Sequence, residues 1–276
     1  MFTQVTIIGN AQGNWEQAAV GLTIVFNDTC KLDSTGQLTK NLINITNGPF
    51  AGIEARFLVS GLTDAEKLTC SLVEIAIELE LALDCWPSTG LVTTVLMNQQ
   101  AHKLDVARMS LLPSLMRDVN MPMTTYLPCM VHNWLGERRI ALTLSNSNLN
   151  WPELHLSQPD AHQVLPDNGS AASMRHFAPL CPFSLLKKIH KQAITEAKEC
   201  EDTLATLAYL ANSNIDIWLQ HSNQEKLLSC EPLFFNQTPE LTSSYWYLVN
   251  HLASQYLDAI RHRLAYCQQV LSLKRV

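Results

Sequence analysis

Residues 61–100 read GLTDAEKLTCSLVEIAIELELALDCWPSTGLVTTVLMNQQ. The capping box T-D-A-E predicts a helix that begins at Thr63, because its Thr and Glu side chains can satisfy the first free N–H groups. Apolar residues recur through residues 68–83 at helical spacing and nearly surround this helix. Neighbouring elements are therefore expected to cover it. Residues 91–97 show no alternation of polar and apolar positions, which is typical of a strand that is buried on both faces.

The flanking sequence extends this pattern into an α/β fold. Short apolar runs bounded by turn residues predict further strands, at residues 4–8, 22–26, 50–59, 140–144 and 215–219. Apolar residues at helical spacing predict further helices, at residues 104–115 with an interruption at Pro113, at 182–211, and from Pro239 onwards. Strand 50–59, helix 63–84 and strand 91–97 would form one right-handed crossover. The expected class is α/β, with a mixed or mostly parallel sheet, covering helices and a helical C-terminal third.

The segment of residues 145–181 differs in composition from its surroundings. It contains four prolines among asparagine, serine and glycine residues, and its apolar residues show no sustained period. Such a composition is typical of a long loop or a domain junction. The predicted organisation is an α/β core over residues 1–144, an irregular segment over 145–181, and a mostly helical portion over 182–276 that packs on the core.

Composition and charge argue against several classes of protein. Charged residues make up 16% and hydrophobic residues 47% of the 276, which excludes a globally disordered chain. A net charge of −6 without a long basic run argues against nucleic-acid binding. The N-terminus lacks a signal-peptide pattern, and no apolar run reaches the roughly 20 residues of a membrane helix. Eight cysteines without a C-x-x-C pair are typical of reduced thiols, so a cytoplasmic location is expected.

Glycines follow the first predicted strand at Gly9 and Gly13. Glycines in this position can bring the backbone close to a phosphate. Their spacing lacks the third glycine of a dinucleotide fingerprint, and no convincing long helix follows them. A plain turn is therefore favoured, and no cofactor is predicted.

Three polar residues, Asn98, Gln99 and Gln100, directly follow the predicted strand 91–97. The carboxyl ends of parallel strands are where open sheets hold ligands. These residues are therefore candidate ligand-binding residues, and an ordinary polar loop is the alternative.

Four stretches resemble parts of the thiolase-fold β-ketoacyl synthase family. Val5–Gly13 resembles its opening strand and glycine turn, and Leu62–Leu83 resembles its early helix. Gly90–Met97 resembles its second core strand, and Leu207–Ser222 resembles the helix-to-strand passage after its nucleophile. The resemblance implies half of a thiolase-like fold and a dimer. No stretch resembles the second half of the fold, which supplies the paired active-site histidines. The resemblance therefore implies a degenerate scaffold that has lost catalysis.

The family nucleophile is a cysteine that opens a helix, and Cys181 stands in that position immediately before Pro182. A helix dipole would lower the pKa of this thiol. Cys181 is thus a candidate nucleophile, with His176 or His132 as the base that activates it. Cys129 and His132 have a spacing that zinc ligands use, but the other histidines and cysteines follow at long, irregular intervals. No metal site is predicted.

These observations favour a non-catalytic accessory or protein-interaction protein, a degenerate ketosynthase-like scaffold, over an enzyme. The alternative is a thiol-dependent acyl-transfer or hydrolytic enzyme that uses Cys181. The expected contact with a partner protein or a second copy is the C-terminal helix, which carries Trp246 and Tyr247. The helix carries two further aromatic residues, Tyr245 and Tyr256. Because Trp246 and Tyr247 project about 100° apart on a helix, one intramolecular face is not expected to bury all four rings. The alternative is that the segment 145–181 covers these rings.

Overall fold

The computed structural model describes residues 1–27, 40–122, 125–144, 148–159, 181–196, 201–236 and 251–274. The chain divides into two compact units. Unit 1 consists of residues 1–111 and 137–155, and unit 2 of residues 112–136 and 156–276. The predicted α/β class, with a mixed sheet and a mostly helical C-terminal region, is confirmed.

Unit 1 is built on a six-stranded sheet with the order β4-β3-β2-β1-β5-β6. Its strands are β1 (Val5–Ile8), β2 (Leu22–Phe26), β3 (Leu42–Asn47), β4 (Phe57–Ser60), β5 (Leu104–Ala107) and β6 (Leu149–Asn150). The edge strand β4 runs antiparallel to β3, and every other neighbouring pair is parallel. The strands predicted at residues 4–8 and 22–26 are confirmed as β1 and β2.

Helices cover this sheet and connect its strands. They are α1 (Gly48–Ala51), α2 (Ala65–Leu83), α3 (Thr89–Gln100), the part of α4 (Trp134–Ala141) that follows Gly136, and a 3₁₀ turn (Pro152–Leu154). Helix α2 contacts β4, whereas α3 contacts β3 and β5. Ile8, Val25 and Leu42 form a further apolar cluster with the side chains of Trp15 and Ala107.

The predicted strand at residues 91–97 is wrong, because these residues lie in α3. Ser88 caps the start of this helix, because its hydroxyl accepts a hydrogen bond from the N–H of Leu91 at 3.2 Å. Most of its side chains are buried, so the sequence carries no polar face. Without a polar face, periodicity does not separate a buried helix from a buried strand. The predicted crossover is wrong as well, since residues 50–59 contain only the end of α1 and most of β4.

Other predicted elements also differ from the structure. Residues 104–107 form β5 where a helix was predicted, and residues 140–141 end α4 where a strand was predicted. The predicted strand 215–219 lies in α7 (Ile215–His221), because the side chain of Asn214 caps that helix by accepting from the N–H of Asp216 at 2.9 Å. Helix α2 begins at Ala65, and its N-cap residue makes no side-chain cap bond.

Unit 2 is a helical assembly around one apolar core. Its helices are α5 (Pro182–Glu196), α6 (Glu201–Asn212), α7, α8 (Gln224–Cys230) and α9 (His251–Leu273), with 3₁₀ turns at Pro128–Val131 and Glu231–Phe234. Trp218, Leu186, Leu207 and Ile260 are among the core residues that solvent hardly reaches. Helices α5 and α6 confirm the helical character predicted for residues 182–211, apart from residues 197–200, which lie outside the described ranges.

Polar groups on α9 hold the segment that opens unit 2. The carboxylate of Asp258 accepts the N–H of Leu115 at 2.8 Å and the hydroxyl of Ser114 at 3.2 Å. The same carboxylate pairs with the guanidinium of Arg261 at 2.9 Å, and both side chains are almost completely buried. A buried ion pair of this kind is costly to break, because the remaining charge stays without compensation.

Candidate ligand site at the carboxyl edge of the sheet

The strand order of unit 1 reverses between β1 and β5. Strands β2 and β3 follow β1 on one side of it, whereas β5 and β6 lie on the other side. In open α/β sheets the loops that leave two such strands diverge and leave a crevice outside their carboxyl ends. Here those loops consist of residues 9–13 and 108–111.

These two loops touch each other at Gly9. Its N–H donates to the carbonyl of Ala107 at 2.8 Å, and the N–H of Ala11 donates to the carbonyl of Arg108 at 3.3 Å. A Cβ atom on Gly9 would lie 2.3 Å from the Arg108 carbonyl oxygen, so no side chain fits there. Gly13 is needed for a different reason, since its φ of 127° is one that residues with a side chain rarely adopt.

Arg108 places a cation at this edge of the sheet. Its φ of 57° is left-handed, which is uncommon for a residue other than glycine and is found at functional sites. Its N–H donates to Oε1 of Glu153 at 3.0 Å, and its guanidinium donates to the carbonyl of Ala11. Its buried Nε has no hydrogen-bond partner among the described residues. This guanidinium therefore has a donor that the described residues leave unsatisfied.

An asparagine stands at the carboxyl end of each of the three strands on one side of the crevice. Asn10 and Asn27 follow β1 and β2 closely, and Asn47 ends β3. Oδ1 of Asn27 accepts from the N–H and the side-chain amide of Asn47 at 3.3 and 3.4 Å. The φ of Asn27 is 51°, a left-handed conformation that asparagine tolerates. These amides provide both donors and acceptors at the same edge of the sheet as Arg108.

The start of α3 lies beside the same loops. A Cβ atom on Gly90 would lie 2.4 Å from Sδ of Met109. The N–H and the hydroxyl of Ser88 donate to the two carboxylate oxygens of Glu137 at 2.7 and 2.6 Å. Glu137 is fully buried, and a carboxylate at a helix N-terminus is stabilised by the helix dipole. The neighbouring Arg138 is also fully buried and donates to the carbonyls of Ser110 and Leu154. Helix α4 thus fixes both α3 and the loop after β5.

The predicted ligand residues Asn98, Gln99 and Gln100 lie elsewhere. They end α3, and the carbonyl of Gln100 accepts the N–H of Phe2 at 2.9 Å. Phe2 precedes β1, so this is the amino edge of the sheet. Residues 91–97, which were expected to form the strand before them, form a helix. A ligand crevice at Asn98, Gln99 and Gln100 stays a prediction, but the predicted strand no longer supports it.

The three residues of the predicted thiol site are not seen as one group. Cys181 immediately precedes α5 in unit 2, and the ring of His132 stacks edge-on against Trp134, with 5.2 Å between centroids. His176 lies outside the described residues. No three histidine, cysteine or acidic side chains gather at metal-binding distance in the part of the chain that the structure describes.

Hydrogen bonds lower the pKa of the Cys181 thiol. Partial burial raises its pKa, but hydrogen bonds from the backbone and side chain of Ser184, the backbone of Phe183 and the ammonium of Lys226 more than offset this. The net result is a pKa below the ordinary value. The opposite holds for Cys129, where burial raises the pKa of the thiol.

The predicted contact residues Trp246 and Tyr247 lie outside the described residues. Tyr256, one of the four rings that a single face was not expected to bury, lies in the core of unit 2. It shares a face of α9 with the core residues Leu257 and Ile260, so the prediction of an exposed aromatic surface now concerns the other three rings.

Sequence reasoning missed the asparagines and the Glu137–Arg138 pair. The sequence does contain a signal for two of the asparagines, since Asn10 and Asn27 closely follow the apolar runs of β1 and β2. No local pattern marks Glu137 or Arg138, which look like ordinary surface charges in the sequence.

Comparison with protein-family models, with curated proteins and with solved structures gives no significant match. None of the helices in the described part of the chain combines the length and apolar character that a membrane span requires.

Proposed function

We propose that unit 1 binds a small molecule with a phosphate group, of the nucleotide class, at the carboxyl edge of its sheet. The observation that carries this proposal is the reversal of strand order between β1 and β5. Without the antiparallel edge strand β4, the order β3-β2-β1-β5-β6 corresponds to the doubly wound order of nucleotide-binding sheets. This likeness is an analogy of fold, so the specific support comes from the residues at the edge.

Those residues suit a phosphate and a polar group attached to it. The Arg108 guanidinium would form charge-assisted hydrogen bonds with phosphate oxygens. Backbone N–H groups of the loop 9–13 would add to them, apart from those of Gly9 and Ala11, which already donate to carbonyls. The amides of Asn27 and Asn47 would hydrogen-bond to hydroxyl groups or to a base. No helix occurs in residues 9–21, so Arg108 takes the place that a helix N-terminus has in dinucleotide-binding folds.

The binding test replaces by glutamine each of the two cations that flank β5. Arg108→Gln removes a cation at the carboxyl end of β5, and Lys103→Gln removes one at the amino end. Calorimetry with a panel of nucleoside mono- and diphosphates should show that Arg108→Gln weakens binding roughly ten- to a hundredfold, because a hydrogen bond to a charged group contributes about 1.5–3 kcal/mol. Lys103→Gln should leave the affinity unchanged.

Equal losses in the two variants would indicate nonspecific attraction of anions and would contradict the proposal. The absence of binding by every nucleotide in the panel would contradict it as well.

The predicted role as a non-catalytic accessory or interaction protein, a degenerate ketosynthase-like scaffold, concerns a different property. It is compatible with a bound nucleotide, and contact with a partner or a second copy through Trp246 and Tyr247 belongs to it. Incubation with the bound nucleotide, followed by chromatography, tests the non-catalytic part. The nucleotide should be recovered intact, whereas its conversion would contradict a role without catalysis.

A second candidate is a thiol-dependent acyl-transfer or hydrolytic activity of unit 2. The specific observation that favours it is the set of hydrogen bonds on Cys181 from Ser184 and Lys226, which lower the pKa of the thiol. Iodoacetamide near pH 7 should alkylate Cys181 faster than it alkylates Cys129, and Lys226→Gln should slow this reaction. Equal slow labelling of the two thiols would remove this candidate.

A further inference from the structure

Helix α2 carries an apolar stripe on its solvent-exposed face. Its buried residues, which face the rest of unit 1, are Leu68, Leu72, Ile75, Ala76, Leu79 and Leu83. At about 100° per residue, Cys70, Ile77 and Leu81 lie within about 30° of the opposite direction. Ile77 is 52% exposed and Leu81 is 86% exposed. The sequence-based expectation that neighbours cover this helix on nearly all sides is therefore wrong.

Carboxylates flank this stripe on both sides. Glu66 and Glu80 lie along one side of it, and Glu74 and Glu78 along the other. Lys67 is the single basic residue of α2, and the last turn contains none. The four glutamates outnumber this lysine, and the C-terminal end of the helix adds the negative end of its dipole. The charge of this face is therefore negative. Arg139 donates to the carbonyl of Ala82 at 3.2 Å and offsets only part of it.

This pattern defines which partner the stripe fits. An apolar ridge between two rows of carboxylates is complementary to an amphipathic helix whose apolar ridge lies between lysines or arginines. A second copy of α2 would bring the two sets of carboxylates together, and like charges across an interface are unfavourable. We propose that the exposed face of α2, defined by Ile77 and Leu81 with its flanking glutamates, docks a basic amphipathic helix of another protein. This proposal is independent of the nucleotide site.

The test uses two designed helical peptides of about 20 residues that share one leucine ridge. One peptide has lysines on both sides of the ridge, and the control has glutamates at the same positions. Fluorescence anisotropy should show that the full-length protein binds the lysine peptide at least tenfold more tightly than the glutamate peptide. Raising the ionic strength should weaken the binding, because salt screens exposed charges.

Variants then locate the binding on α2. The double change Ile77→Ser and Leu81→Ser should weaken binding of the lysine peptide at least tenfold, since it removes the apolar part of the contact. The matched control is Val20→Ser, which changes a side chain that is 70% exposed and lies outside α2; it should change nothing. The double change Glu74→Lys and Glu78→Lys should reverse the preference between the two peptides. Because all these side chains are partly or largely exposed, circular dichroism should show an unchanged fold.

Three results would overturn the proposal. The first is binding of the lysine peptide that the double serine variant leaves unchanged. The second is a dimer, seen by sedimentation velocity, that the double serine variant dissociates. The third is binding to neutral phosphatidylcholine vesicles that depends on Ile77 and Leu81, which would identify a lipid surface as the occupant.

Discussion

Replacing Glu137 by alanine tests whether α4 fixes the start of α3. The change leaves the N–H and the hydroxyl of Ser88 without the carboxylate that accepts them at 2.7 and 2.6 Å. Each hydrogen bond to a charged group contributes about 1.5–3 kcal/mol. The loss in the free energy of unfolding should therefore be about 3–6 kcal/mol, a large part of the stability of a domain. Glu80→Ala, which removes an exposed glutamate from α2, should cost less than about 0.5 kcal/mol.

The assay combines urea unfolding with hydrogen exchange. Urea unfolding followed by circular dichroism reports the total loss in the free energy of unfolding, and hydrogen exchange of the Leu91 amide reports the local opening of α3. Ser88→Ala alone should cost about 1–3 kcal/mol, and the double variant should cost less than the sum of the two single changes, because both remove the same interaction. A loss below about 1 kcal/mol for Glu137→Ala, or strict additivity of the two changes, would show that Glu137 does not hold the start of α3.

Three further predictions concern unit 2. Asp258→Ala removes the carboxylate that pairs with the buried guanidinium of Arg261, so urea unfolding should show a loss of about 3–5 kcal/mol in the free energy of unfolding. A loss under about 1 kcal/mol would contradict the structure. Burial lowers the pKa of His190 from 6.5 to about 4, so the unfolded chain binds the proton more readily. Stability should accordingly fall as the pH decreases from about 6.5 towards 4, and His190→Gln should remove that part of the pH dependence in thermal unfolding. The dimer predicted through Trp246 and Tyr247 should appear in light scattering across a concentration series and weaken when both become alanine, whereas a strict monomer at tens of micromolar would end this prediction.

The sequence was sufficient for the elements whose pattern has one reading. Strands β1 and β2 are short, apolar and bounded by glycine or polar residues, and the long apolar periods of α2, α5, α6 and α9 predict helices. The sequence of α3 gives no periodic signal that separates a helix from a strand, because Thr93 and Thr94 are buried together with their apolar neighbours. Its N-cap, Ser88, also lies in a turn that reads equally well as the entry to a strand.

The site was beyond local patterns for a physical reason. Arg108 and Gly9 are 99 positions apart, and only the pairing of β1 with β5 brings them together. Glu137 and Arg138 look like surface charges because the sequence does not show that α4 inserts them beside Ser88 and Ser110. The prediction that Asn98, Gln99 and Gln100 bind a ligand depends on a strand at residues 91–97, and these residues form α3 instead.

The location of a bound nucleotide on unit 1 tests the central claim most directly. Two-dimensional ¹H–¹⁵N NMR spectra of the full-length protein, recorded during titration with the tightest-binding nucleotide of the panel, report which amides change. If the nucleotide binds at the carboxyl edge, the largest shifts should occur at Gly9, Gly13 and Asn27, and Arg108→Gln should abolish them. Shifts centred on Gln99 and Gln100 at the amino edge, with Gly9 and Gly13 unchanged, would contradict it.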